Sequence, residues 1–342
     1  MDTLPKAKRI YLKKQNRIIE YELMKKLHEE EGCDITFMCR ELGISRAAYY
    51  KWTGRKPGSR DRENEELLDI IRKVSSSNNS LFGSLTMTYY IRNEYKRIYN
   101  HKRIYRLMCI HDIVSSYRRK PSCAFRRSTP EMTAENLLNR DFNADRINMK
   151  WCTDITEIRI PLSSEKLYFS PALDLCGRYP VALSVSDRND TALANDVLKK
   201  AHEACPDARP VYHSDRGFQY TRSAFRSTLD EYGMTQSMSR VSKCIDNGPC
   251  EQYQGQLKEI IRILYPDVRT KEEMIEAIYK ANDYYIDHYP QRRFKGKTAG
   301  MVRKEALANG GIADYPIPPN PKIIRYWNHI EELKKQSQAG SQ

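Results

Sequence analysis

The apolar positions follow two regimes. Up to about residue 114 they recur at three- and four-residue spacing, the mark of amphipathic helices. Residues 1–30 read as a charged helix. In "CDITFMCRELGISRAAYYKWTG", 33–54, Ile35, Met38 and Leu42 keep helical spacing. Gly43 interrupts it, Ser45 can cap a new helix, and Ala48, Tyr49 and Trp52 carry the period on. That order predicts a helix-turn-helix; a plain helical hairpin is the other reading. "GRKPGSRDRE", 54–63, reads as a linker, and "ENEELLDIIRKVSS" as an amphipathic helix. A second helical pair follows in "LTMTYYIRNEY" and "NHKRIYRLMCIHDI", with Asn100 as cap. The basic, Pro- and Ser-bearing stretch 115–131 suggests a linker lying on phosphates, or an ordinary solvated one.

From residue 150 the pattern changes. "KWCTDITEIRI", "KLYFSPALDL" and "YPVALSVS" are strand-like runs joined by short turns, which predicts an antiparallel meander. "TALANDVLKKAHEAC" is helical, "PVYHSDR" a short buried strand, "SAFRSTLDEYG" a helix ended by Gly233, and "MTQSMS" a last strand. "NGPCEQYQGQLKEIIRILY" is a helix with Pro249 in its first turn, where proline fits. The expected class is α/β, a mixed five-stranded sheet with flanking helices, preceded by all-α units. "TKEEMIEAIYKANDYYIDHY" predicts another helix, and "PQRRFKGKTAGMVRKEAL" is basic and partly helical. "YPIPPNP" is stiff, and "KIIRYWNHIEELKKQ" closes as a helix. The expected domains are 1–54, 55–130, 140–310 and a tail at 311–342.

Composition narrows the partner. The chain has 342 residues, enough for two or three domains, and a net charge of +14. That excess points to a polyanion, nucleic acid foremost and an anionic membrane surface second. No run reaches the ~18 apolar residues of a membrane span, and the charged N-terminus has no apolar segment of the secretory kind. The nine cysteines are scattered without a C-x-x-C pair. They argue against a disulfide framework or zinc site and for a reducing cytoplasm, as small core residues.

Three acids sit at chemically loaded places. Asp154 is expected mid-strand, Asp215 ends the fourth strand before Gly217, and Glu251 lies in the first turn of a long helix. Between the last two lie 35 residues. Singly, each has an ordinary explanation: a turn, a cap, a complement to the helix dipole. Together, a strand centre, a strand end and a helix start can converge on one point. Gathered carboxylates repel, and a hard divalent cation is the usual remedy. Two such ions could activate a hydroxyl nucleophile and stabilise the leaving 3′ oxygen of a phosphodiester. Lys258, two helical turns beyond Glu251, shares its face and suits a phosphate, or simply points to solvent.

"WCTDIT", "HSDRGFQY" and "CIDNGPCEQYQGQLK" resemble the signatures of insertion-sequence transposases with a retroviral-integrase-like DDE core. More narrowly, the chain resembles the second-reading-frame product (OrfB) of the large IS-three family. "LGISRAAYYKW" and "HKRIYRLM" are similar to that family's helical units, and "YYIDHYPQRRFKGKTAGMVR" to its closing motif. The resemblance implies an RNase H-like core and makes Asp154, Asp215 and Glu251 the catalytic, metal-binding carboxylates, with Asp154 bridging two magnesium or manganese ions. It implies that Gly217, Gln219 and Tyr220 shape their loop and contact DNA near the acids, and that Asn247 and Lys258 contact DNA, with Asn247 capping its helix as the other option. Arg46 and Lys51 in the first helical unit, and Lys102, Arg103 and Arg106 in the second, are further candidate DNA contacts. The chain departs from the pattern at "FGSLT", 82–86, at Gln252, Tyr253, Ile260 and Pro290, and at Thr298-Ala299. None of these touches the acids.

The implied activity is metal-dependent release of a 3′-hydroxyl at an element end, then in-line strand transfer, in the bacterial cytoplasm and on the nucleoid. The implied partners are double-stranded DNA, an upstream-frame helix-turn-helix and coiled-coil protein (OrfA type), as fusion or in trans, and a second copy in a synaptic dimer or larger assembly. The rivals are a DNA-binding regulator or inactive copy with a non-catalytic core, and an RNase H-type nuclease.

Overall fold

The computed structural model describes residues 23–54, 58–117, 134–239 and 247–313, with Arg17, Glu20, Tyr21 and Arg325 besides. The first residues, most of the basic stretch at 115–131, the Pro-rich segment and most of the closing helix fall outside the described residues. The chain divides into two compact units, Met1–Tyr117 and Arg118–Gln342.

In the first unit, α1 (Ile35–Glu41) begins at Asp34, whose carboxylate accepts the Phe37 N–H at 3.0 Å. Gly43 turns the chain at φ +59°, in the left-handed region glycine adopts at no steric cost. The Ser45 hydroxyl then caps α2 (Arg46–Thr53) by accepting the Ala48 N–H at 3.1 Å. Met24, Met38, Cys39, Ile44 and Tyr49 close the small core. Leu42, expected inside, is 42% exposed, and Ile44 takes its place.

α3 (Ser59–Ser77) starts inside the stretch read as a linker, because Asp61 accepts the Gly58 N–H and nucleates the first turn. α4 (Ser84–Tyr95) and α5 (His101–Ile110) form the second pair, and Asn100 caps α5 through the Lys102 N–H at 2.8 Å.

The second unit is built on one mixed sheet: β1 (Lys150–Cys152), β2 (Thr156–Arg159), β3 (Lys166–Asp174), β4 (Tyr179–Ser186), β5 (Val211–Ser214) and β6 (Thr235–Met238). β1 and β2 lie end to end along the same side of β3, so the sheet is five strands wide as expected. The meander β1/β2–β3–β4 is antiparallel; β5 and β6 run parallel to β1. Side chains alternate across the pleat. Trp151 faces a core with Tyr212, Val197 and Leu198 of α6 (Thr191–Ala204), and Phe225 and Leu229 of α8 (Ser223–Glu231). Between β5 and α8 lies a short helix, α7 (Phe218–Thr221). Cys152 turns the other way, toward Cys250 in α9 (Gly248–Leu264). α10 (Lys271–His288) packs on α9, and α11 (Ala299–Ala308) on α10. Among the described residues no helix is long and apolar enough to cross a membrane.

Candidate active site

The first strand is not continuous. Pairing with β3 stops at Cys152, opposite Leu173, and resumes at Thr156, opposite Phe169, in the same register. Carried through the gap, that register sets Asp154 opposite Pro171. Proline has no N–H to give to a ladder. The Asp154 carbonyl is bonded instead by the Gln254 side chain of α9, Nε2 donating at 2.8 Å. One residue earlier, Asn247 Nδ2 donates to the Thr153 carbonyl, also at 2.8 Å. Asp154 therefore sits in an interruption between two strands, not at a strand centre as expected, and α9 holds that interruption from the side.

Asp215 follows β5 directly. Its Oδ1 accepts the Gly217 N–H at 2.8 Å, a tight turn closed on its own side chain. A Cβ on Gly217 would meet the Gln219 side chain at 2.7 Å, so glycine permits the packing. Beneath Asp215, buried His213 meets the Ser237 hydroxyl at 2.8 Å and Ser239 at 3.2 Å, and Arg216 Nε donates to the Ser239 carbonyl. Loop and neighbouring strand are thus tied together.

α9 supplies the third acid. Glu251 is exposed in its first turn, and Asn247, Glu251, Gln254 and Lys258 form one stripe along it. Lys258 Nζ donates to the Thr156 hydroxyl at 2.6 Å and lies 5.9 Å from the centre of the Phe169 ring.

The electrostatics link these residues. Withdrawal from water pushes the Asp154 carboxyl well above the usual carboxylate range, and the charges of Asp215 and Glu251 push it further. The Ile155 N–H and the Lys258 ammonium pull the other way. Asp215 is also raised by desolvation, against the Gly217 N–H. Asp154 thus feels both other acids, although they come from three separate elements. Among the described residues, no three His, Cys, Asp or Glu side chains are gathered closely enough to hold one ion. Their influence on one another is electrostatic, without a closed cage of ligands among the described residues.

Several sequence expectations change here. Gln219 and Tyr220 are buried, 5% and 1% exposed, which fits the shaping of their segment and leaves little surface for a DNA contact. Asn247 is buried too; it neither caps α9 with its side chain nor reaches outward, because it holds Thr153. Arg103, expected on the outer face of α5, is half-buried and bonded to Asn64 and Glu63 of α3. Arg46, Lys51, Lys102 and Arg106 are exposed. The sequence reading missed Gln254 and Pro171, and it placed Thr156 only as a neighbour of Asp154, not as the partner of Lys258. The period from Asn247 to Lys258 pointed to Gln254; nothing local marked Pro171, whose effect depends on register.

Residues 144–244 match the family described as the integrase core domain, and 62–121 match the HTH-like domain. The putative transposase InsK of insertion sequence element IS150, from Escherichia coli strain K12, is 32% identical over 266 residues, 78% of this chain and 90% of that protein. Transposase InsF of insertion sequence IS3A, from the same organism, is 28% identical over 66% of this chain and 78% of its own length. In structure, the HTLV-2 integrase catalytic core domain in complex with magnesium superposes with a TM-score of 0.37 at 16% identity, over 45% of this chain and 95% of that one. The chain belongs to the IS-three family of insertion-sequence transposases, polynucleotidyl transferases with an integrase-like core.

Proposed function

We propose that the protein joins DNA ends by strand transfer, with Asp154, Asp215 and Glu251 as its catalytic carboxylates. The observation that carries this reading is the environment of Asp154: burial raises its carboxyl, two further acids raise it more, and the Ile155 N–H and one lysine oppose them. A divalent cation, magnesium or manganese, relieves that repulsion, and carboxylate oxygens are the hard ligands it takes. The three acids would hold two ions. When bound, they supply Lewis-acid stabilisation of the attacking and leaving oxygens.

The chain's own residues do the positioning. Gln254 and Asn247 hold the backbone on either side of the Asp154 peptide, so its carboxyl is aimed before DNA arrives. Lys258 presents its ammonium beside the acids, where a phosphate oxygen would lie. A phosphodiester at an element end is first hydrolysed, releasing a 3′-hydroxyl. That hydroxyl then attacks a second phosphodiester in line. A new P–O bond forms as the P–O3′ bond breaks, with no covalent protein intermediate.

Exposed Arg46, Lys51, Lys102 and Arg106 would meet the DNA backbone, with affinity that falls steeply with salt. An upstream-frame partner would supply end recognition, as a fusion or in trans, and a synaptic dimer would bring two ends together.

The test is a strand-transfer assay on a supercoiled plasmid carrying the element's own ends, with magnesium or manganese. Wild type is compared with Glu251→Gln, each with and without the upstream partner. Joined ends from wild type alone support the reading. No product from wild type under any condition, with DNA binding intact in both, overturns it in favour of a regulator with a silent core.

A further inference from the structure

The turn after β3 carries an arginine that the catalytic reading leaves unused. Arg178 follows Gly177 in a left-handed conformation, φ +52°, and is only 5% exposed. Its Nη2 donates to the Phe142 carbonyl at 3.0 Å. Its Nε and Nη1 are buried and have no hydrogen-bond partner among the described residues. A second guanidinium, that of half-buried Arg293, also has a buried Nε without a partner among them.

A built framework joins the two. Tyr285 of α10 donates its hydroxyl to the Arg178 carbonyl at 3.2 Å and accepts Gln291 Nε2 at 3.0 Å. The Gln291 backbone in turn braces the corner holding Arg293, exchanging bonds with Phe294, Gly296 and Lys297. The counter-charge at hand is already taken. Buried Asp174 accepts Arg303 Nη1 at 2.9 Å and two backbone N–H groups, from Asn148 and Cys176.

A guanidinium stays protonated at neutral pH, and a buried unpaired donor is expensive. Burial, then the charge of Arg293, presses Arg178 down to about 9. Planar forks of N–H donors fit tetrahedral oxyanions.

We propose that Arg178 and Arg293 form a binding site for a phosphate-class oxyanion, beside α10 and apart from the three acids. Exposed Arg292 and Lys295 flank Arg293 at the same corner and add positive charge. The anion is either free phosphate or a phosphate of the nucleic-acid backbone. Binding needs no catalysis, so the site stands or falls independently of strand transfer.

The experiment uses the full chain and inorganic phosphate as probe, with chloride at matched ionic strength as control. Thermal unfolding of wild type should rise by about 5 °C at saturating phosphate over chloride. Arg293→Gln and Arg178→Met should lose the rise, and Arg293→Lys, which keeps charge without the fork, should show a smaller one. A second arm measures binding of a DNA duplex against salt. A slope reduced by about 0.9 in Arg293→Gln identifies a DNA backbone phosphate; an unchanged slope with the thermal rise lost identifies free phosphate. Equal unfolding in phosphate and chloride with an unchanged slope overturns the site, and so does a phosphate rise that persists in both Arg178→Met and Arg293→Gln.

Discussion

Asp174, at the end of β3, and Asp154, in the break between β1 and β2, are treated in opposite ways. Asp174 has no exposed surface, and every oxygen is answered: Arg303 and the Asn148 N–H on one, the Cys176 N–H on the other. Asp154 has the Ile155 N–H as its one backbone donor among the described residues, and the charges of two more acids act on it. The first carboxylate is closed by the protein and fastens α11 to the core. On the reading proposed above, the second is left for a divalent cation. On that reading, completeness of the donor shell separates a structural acid from a catalytic one, where burial alone would not.

The comparison breaks most visibly in activity. Asp154→Asn or Glu251→Gln should lower strand transfer by about three orders of magnitude or more while leaving the fold intact, read by product yield beside circular dichroism. Asp174→Ala should do the reverse. It leaves the Arg303 guanidinium buried without its partner, and urea unfolding should show a loss of about 3–5 kcal/mol.

Magnesium sharpens the contrast next. At a hundredfold excess over its dissociation constant it should stabilise wild type by about 2.7 kcal/mol, and Asp154→Asn by far less. A shift of equal size in both would mean the ion binds elsewhere.

Without metal, the sign turns round. The folded Asp154 and Asp215 carboxyls sit above the ordinary value of 3.8, so the folded state holds more protons than the unfolded one. Stability is therefore greatest near and below that value and falls as pH rises toward the folded values. In chelator, Asp154→Asn should unfold above wild type at neutral pH, and the gap should close as pH falls toward 4. Each kcal/mol regained corresponds to about 2–4 °C in a domain of this size.

The smallest effect belongs to Gln254→Leu. It leaves the Asp154 carbonyl without its donor, which costs about 1–3 kcal/mol. Turnover should fall more than substrate affinity, because aim is lost and contact is kept.

Much of this was legible in the chain. The candidate acids stand out by place: after an apolar run, before a glycine, behind a proline at a helix start. The caps at Ser45 and Asn100 were local chemistry and came out as read. What stayed hidden depended on pairs far apart in sequence. The strand break at Asp154 needs Pro171 across the ladder. Gln219 and Tyr220 are expected to shape their loop and contact DNA, and local sequence gives no sign of how deeply they are buried. Arg103 keeps the period of an exposed cation, yet Glu63 and Asn64 on another helix claim it. Local pattern reports local structure; it cannot report which partner arrives from elsewhere.

The missing rung at Pro171 also has a mechanical side. The carbonyl of Asp154 hangs from Gln254, and Gln254 stands one turn from Glu251 on the same helix. Asp215 is anchored to the sheet through its own turn and the serine–histidine contacts below it. One helix thus serves as a common bracket for two of the acids, carrying Glu251 and bracing the backbone of Asp154, while Asp215 is mounted on the β5–β6 side of the sheet, so a substitution that disturbs α9 disturbs two acids at once.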